Sequence, residues 1–167
     1  GIGDILISYN LIGAARSGRL AALLKRSSLT ACADNPVTLA AYAEAAETAG
    51  RVIDVAIECD TGRKRAGVET PREAVQLAEI VKGTDGLRFK GFLLYPTETG
   101  WPEAQKFYDE ALKGVRALGL DPEIVSTGGT PNLANLGRLE GATEHRPGTY
   151  IFNDRMQVAC GSATLED

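Results

Sequence analysis

Six short apolar runs separated by helical patterns constrain this chain more than any other feature of it. The runs are "DILIS" at 4–8, "LTACA" at 29–33, "VIDVAIEC" at 52–59, "LRFKGFLLY" at 87–95, "EIVST" at 123–127 and "ATEH" at 142–145. Between them, Ala74, Val75, Ala78 and Val81 recur at three- and four-residue steps over 71–82, and Phe107, Ala111, Leu112, Val115 and Leu118 do so over 103–118, the spacing of one helix face. "NPVTLAAYAEAAETAG" at 35–50 carries its own punctuation: Asn at the N-cap, Pro at the first helical position and Gly at the C-terminal end. Strand followed by helix, repeated every ~20 to 35 residues, requires crossover connections and therefore a parallel sheet. The chain is α/β by pattern.

An open doubly wound sheet and a (β/α)8 barrel share that signature. The usual barrel takes about 250 residues, and the 167 residues here supply six strands' worth of pattern. Residue 1 opens almost directly onto an apolar run, and "RMQVACGSATLED" stops without an evident terminal element. The chain is therefore expected to be a piece of a longer one.

Composition removes several functions. A net charge of -4 and a pI near 5.1 argue against nucleic acid as a partner, and "RKR" at 63–65 is too short a basic cluster to change that. No apolar run is long enough to span a bilayer and no leader precedes a cleavage site, so no membrane partner is expected and the expected compartment is the cytoplasm. Cys32, Cys59 and Cys160 lie too far apart to form a close-spaced metal pair, and their odd number prevents a fully paired disulfide framework; buried free thiols are the expectation. His145 is the only histidine, so no metal site is expected from these residues alone.

In either architecture ligands sit at the carboxyl ends of the strands, and the polar clusters fall there. In "VSTGGTPN" the amides of Ser126, Thr127, Gly128, Gly129 and Thr130 can turn into one concavity and hold an anion, ahead of a helix expected over 131–139. A plain tight turn is the competing explanation. No Walker lysine and no dinucleotide glycine pattern accompanies the pair. In "CDTGRKRAGV", Arg63 and Lys64 read as solvated ion-pairing residues, while Arg65 stands where the chain turns back over the strand ends. Tyr95 closes the most apolar strand, either as packing or facing a ligand. Arg146 precedes Pro147, which fixes φ, and Gly148, which permits close backbone approach.

Taken in order, "DTGRKRAGV", "GFLLYPTETG", "VSTGGTPN" and "TEHRPGTYIFND" resemble the pyridoxal-phosphate barrel of the alanine racemase N-terminal type, and most closely its D-threonine aldolase and D-serine dehydratase branch. The resemblance runs from about Asp4 to Asp154. It implies a partial (β/α)8 TIM barrel with parallel strands, six of the eight β/α units, filling residues 1–167. It implies pyridoxal 5'-phosphate as cofactor, with a phosphate cup at Ser126, Thr127, Gly128, Gly129 and Thr130 completed by the amides of Gly148 and Thr149. It places Arg65 near the cofactor's phenolic oxygen, Tyr95 on its ring face and Arg146 towards its pyridine nitrogen, with Tyr95 and Arg146 as catalytic residues.

The resemblance also says what these residues lack. The family's cofactor-bearing lysine lies on the first barrel strand, which has no counterpart here, and neither has the C-terminal β-domain, where the aldolase branch carries a divalent metal. The implied activity of the full-length protein is that of a lyase on small D-3-hydroxy amino acids, by retro-aldol cleavage to glycine and an aldehyde. Loss of the α-proton and then the β-hydroxyl, giving a keto acid and ammonia in the manner of D-serine dehydratase, is the alternative, and a non-catalytic cofactor-binding carrier or regulatory protein a third. A homodimer is expected of the full-length protein, and no activity of this piece alone.

Overall fold

A computed structural model describes residues 1–166. Its single sheet holds six parallel strands, β1 (Asp4–Ile7), β2 (Ser28–Ala33), β3 (Ile53–Cys59), β4 (Leu87–Leu94), β5 (Ile124–Thr127) and β6 (Glu144–His145), in the order of the sequence. A doubly wound sheet reverses its strand order at a switch point, whereas a barrel wall does not. The sequential order therefore selects an arc of barrel wall.

Four helices make the crossovers: α1 (Ala14–Leu24), α2 (Pro36–Ala49), α3 (Pro71–Lys82) and α4 (Trp101–Ala117). Each of the last three follows its sequence signals. The Asn35 side chain accepts from the Thr38 amide and Gly50 closes α2 at φ 61°. At α3, Thr70 and Glu73 form a reciprocal capping box with Pro71 at the first turn. α1 has no side-chain cap and contains Gly18, and the pattern reading did not single it out. The helix expected over 131–139 does not form. Residues Thr130–Asn135 make a 3-10 turn instead, because the chain takes an extended ψ at Leu136 and a left-handed φ of 83° at Gly137. A short α5 (Arg155–Ala159) follows β6. No helix among the described residues is long and apolar enough to cross a membrane.

Two separate apolar clusters show which way the sheet faces. The large one unites Leu24, Leu39, Tyr42, Val81, Tyr108 and Val115 of the helices with Ile53, Val55, Ile57, Phe92 and Val125 of the strands. Burying each of these larger side chains is worth about 1.5–3 kcal/mol, so this outer layer carries most of the stability. The other face has only Cys32, Ala56 and Leu93, with Leu6 against them. Towards the strands' carboxyl ends the inner face turns polar: Glu58, Ser126 and Glu144 lie in the same register row as Leu93 of that patch. At the opposite end, Arg88 pairs with Asp54 at 2.6 Å and Lys90 with Glu123 at 2.5 Å.

Candidate functional site

The carboxyl-terminal rim encloses a cavity of about 300 Å3, lined by residues from five loops. Arg65 follows β3, Tyr95 follows β4, Gly128, Gly129 and Thr130 follow β5, and Arg146, Gly148 and Thr149 follow β6. Eight of the residues expected to form one site therefore converge. Ser126 and Thr127 do not line the cavity; they are 0% and 4% exposed within β5. A larger groove of about 730 Å3 runs beside α1, but it gathers none of the strand-end polar clusters.

The glycine pair is packed by rings as well as open to a ligand. Gly128 takes φ 60°, and a Cβ there would stand 2.1 Å from His145 Cε1. A Cβ on Gly129 would stand 2.9 Å from the Tyr95 hydroxyl. The Gly128 amide donates to the Leu94 carbonyl at 3.1 Å, so it is not free for an anion. The amides of Gly129, Thr130 and Thr149 have no acceptor among the described residues. Thr130 ties the two glycine segments together, its Oγ1 accepting from the amides of Gly148 at 3.1 Å and Tyr150 at 3.2 Å.

Arg146 is held in place from two sides. Its Nη1 donates to Ser126 Oγ and its Nη2 to the Leu94 carbonyl at 3.1 Å, while Ser126 Oγ donates to Glu144 Oε1 at 2.5 Å. Burial pulls the Arg146 guanidinium below its ordinary value, and the carboxylates of Glu144 and Glu58 oppose that. Glu58 is the carboxylate of the cavity lining. Burial pushes its pKa up, against the pull of the Cys32 thiol, which donates at 3.5 Å, and of the Arg65 and Arg146 charges. Burial, with the Glu58 charge next, raises the Cys32 thiol far out of the reactive range.

Glu58, the ring-facing position of Arg63 and the packing role of His145 are not among the features expected from the sequence. Arg63 does pair with a surface acid, Glu98, at 2.7 Å, but its Nε also donates to the Pro96 carbonyl and its guanidinium lies 4.1 Å from the Tyr95 ring centroid. Arg65 faces the same ring at 5.1 Å. The turn responsible has Lys64 at φ 50° and is pinned by Asp60, whose Oδ1 accepts from the amides of Gly62 and Lys64. Nothing in the local pattern announces that fold-back. Glu58 was legible in principle, since it continues the inner-face alternation of β3 through Ala56.

These groups suit a flat anion with an aromatic body. Guanidiniums meet a charged or phenolic oxygen, the Tyr95 ring offers a stacking face, and backbone amides open on the glycine side suit a phosphate. No three His, Cys, Asp or Glu side chains come together to hold a metal among the described residues.

Comparison with known proteins agrees with this architecture. Residues 7–156 match the family model described as "Alanine racemase, N-terminal domain". The chain is similar to the 3-hydroxy-D-aspartate aldolase of Paracoccus denitrificans, 30% identical over 92% of this chain and 43% of that protein. It is also similar to the D-threo-3-hydroxyaspartate dehydratase of Delftia sp., 34% identical over 71% of this chain and 34% of that one. Among solved structures, the D-threonine aldolase of Filomicrobium marinum superposes with a TM-score of 0.84 at 31% identity, covering 91% of this chain and 44% of the other. The chain thus spans less than half the length of these relatives.

Proposed function

This chain belongs to the alanine racemase N-terminal domain family, and on that premise we propose that it forms the cofactor-binding part of a pyridoxal-phosphate-dependent lyase acting on D-3-hydroxy amino acids. The observation that carries the proposal is the convergence of Arg65, Tyr95, Arg146 and the Gly129 and Thr130 backbone on one strand-end cavity. Relatives named as an aldolase and a dehydratase of 3-hydroxyaspartate share the substrate class and differ in the bond broken. Retro-aldol cleavage is the version proposed here, and the dehydratase route is the alternative.

Pyridoxal phosphate, when bound, supplies an electron sink for the pair of electrons left at Cα. This chain's residues hold and orient it. The Gly129, Thr130 and Thr149 amides would take the phosphate, and the Thr130 hydroxyl keeps their two loops in register. Arg65 would direct a charged donor to the phenolic oxygen. Tyr95, fixed from above by Arg63, would cover a ring face. Arg146, anchored on Ser126 and the Leu94 carbonyl, would present a guanidinium of fixed orientation towards the ring nitrogen.

The test is a product balance. The full-length protein that contains this chain is loaded with pyridoxal phosphate and given D-threonine and D-threo-3-hydroxyaspartate. Glycine formed with an equal amount of aldehyde supports the aldolase version. Ammonia with a keto acid moves the assignment to the dehydratase version, and no turnover of either substrate with the cofactor retained would leave the carrier reading.

A further inference from the structure

His145 ends β6 opposite Thr127 of β5, and that register lays its ring against the glycine pair without lining the cavity. Its Nε2 lies 2.9 Å from the Gly129 carbonyl oxygen. A carbonyl only accepts, so Nε2 carries the hydrogen. The same oxygen accepts from the Asn132 amide, also at 2.9 Å. In a trans peptide the C=O and the following N–H point to opposite sides, and the chain has no cis peptide among its described residues. Two donors holding the Gly129 carbonyl on one side therefore aim the Thr130 N–H to the other. Thr130 is one of the residues lining the cavity, and its amide has no acceptor among the described residues.

We propose that His145 is a positioning residue for the anion site, fixing the Gly129–Thr130 peptide so that the Thr130 amide points at a phosphate ester. The inference rests on the cofactor reading above and deepens it. It also accounts for Gly128, since a side chain there would occupy the space of the imidazole. His145 does not itself line the cavity. Its effect is confined to the phosphate end, which separates it from Arg65 and Tyr95.

That confinement gives the experiment. In the full-length protein, dissociation constants for pyridoxal phosphate and for phosphate-free pyridoxal are measured by absorbance titration, for the unmodified protein, His145→Leu and His145→Gln. The unmodified protein should prefer the phosphorylated ligand. His145→Leu should lose about five- to tenfold in affinity for it, the effect of one orienting hydrogen bond, with pyridoxal binding unchanged. His145→Gln, whose amide nitrogen reaches near the Nε2 position, should recover most of the loss. Should His145→Leu fail to fold, His145→Met fills the ring's volume without a donor and serves in the same comparison. An unchanged preference in the Leu or Met variant, an equal loss for both ligands, or no recovery with Gln would overturn the role of His145 while leaving the cofactor reading standing. An unmodified protein with no preference for the phosphorylated ligand would overturn the cofactor reading itself.

Discussion

At the scale of single residues, the most consequential unplanned neighbour in the cavity is Glu58. Its folded pKa stands above the ordinary Glu value because burial disfavours the charged form. A raised carboxylate contributes stability that is complete below the unfolded pKa and is lost as pH rises through the folded one. Glu58→Gln should therefore melt with the unmodified apoprotein at the acid end and above it at neutral pH, with the gap opening upward from the usual carboxylate range. Melting temperatures across pH check this, and a gap that is constant with pH would contradict it. Residue chemistry was legible where it depends on identity alone. Cys32 and Cys59 are buried free thiols as expected, and Cys160 is free but partly exposed. The glycine pair was legible as a close approach, but not its full cause. A sequence shows that Gly128 lacks a side chain, whereas the ring of His145 arrives from the next strand.

At the scale of elements, what could be read was whatever is decided within a few residues. α2 begins and ends where Asn35, Pro36 and Gly50 say it should. α3 is stopped and started equally locally, and Thr70→Ala, which removes the hydroxyl that accepts from the Glu73 amide at 3.2 Å, should cost about 1 kcal/mol. Urea unfolding measures it, and a midpoint unchanged by the substitution would show that the capping box is not holding the helix. The segment after β5 failed for the converse reason. Its apolar spacing is compatible with a helix, but the carbonyl of Gly129 is held at the turn by Asn132 and by the distant His145, and Gly137 then takes the chain out of helical φ. β6 is likewise shorter than its apolar run, pairing only at Glu144 and His145.

At the scale of the molecule, local periodicity established α/β and parallel strands but could not order them, because an open sheet and a barrel wall repeat the same unit. The strand order, with the helical core on one face and a thin apolar patch below the polar rim on the other, resolves it. The same arrangement bears on where the cofactor-bearing lysine implied by the resemblance would lie. Lys25, Lys64, Lys82, Lys90, Lys106 and Lys113 all lie outside the cavity lining. Lys82 reaches the Leu118 carbonyl and Lys90 is paired with Glu123 and Asp54 at the opposite rim. On the proposed function, these residues form the cradle for pyridoxal phosphate while its lysine comes from elsewhere in the full-length protein. Borohydride reduction of the full-length protein loaded with pyridoxal phosphate, followed by mass-spectrometric mapping, tests both halves together. Stoichiometric label on one lysine outside residues 1–167 is the predicted result. The absence of any label, or stoichiometric label on one of the six lysines within them, would contradict it.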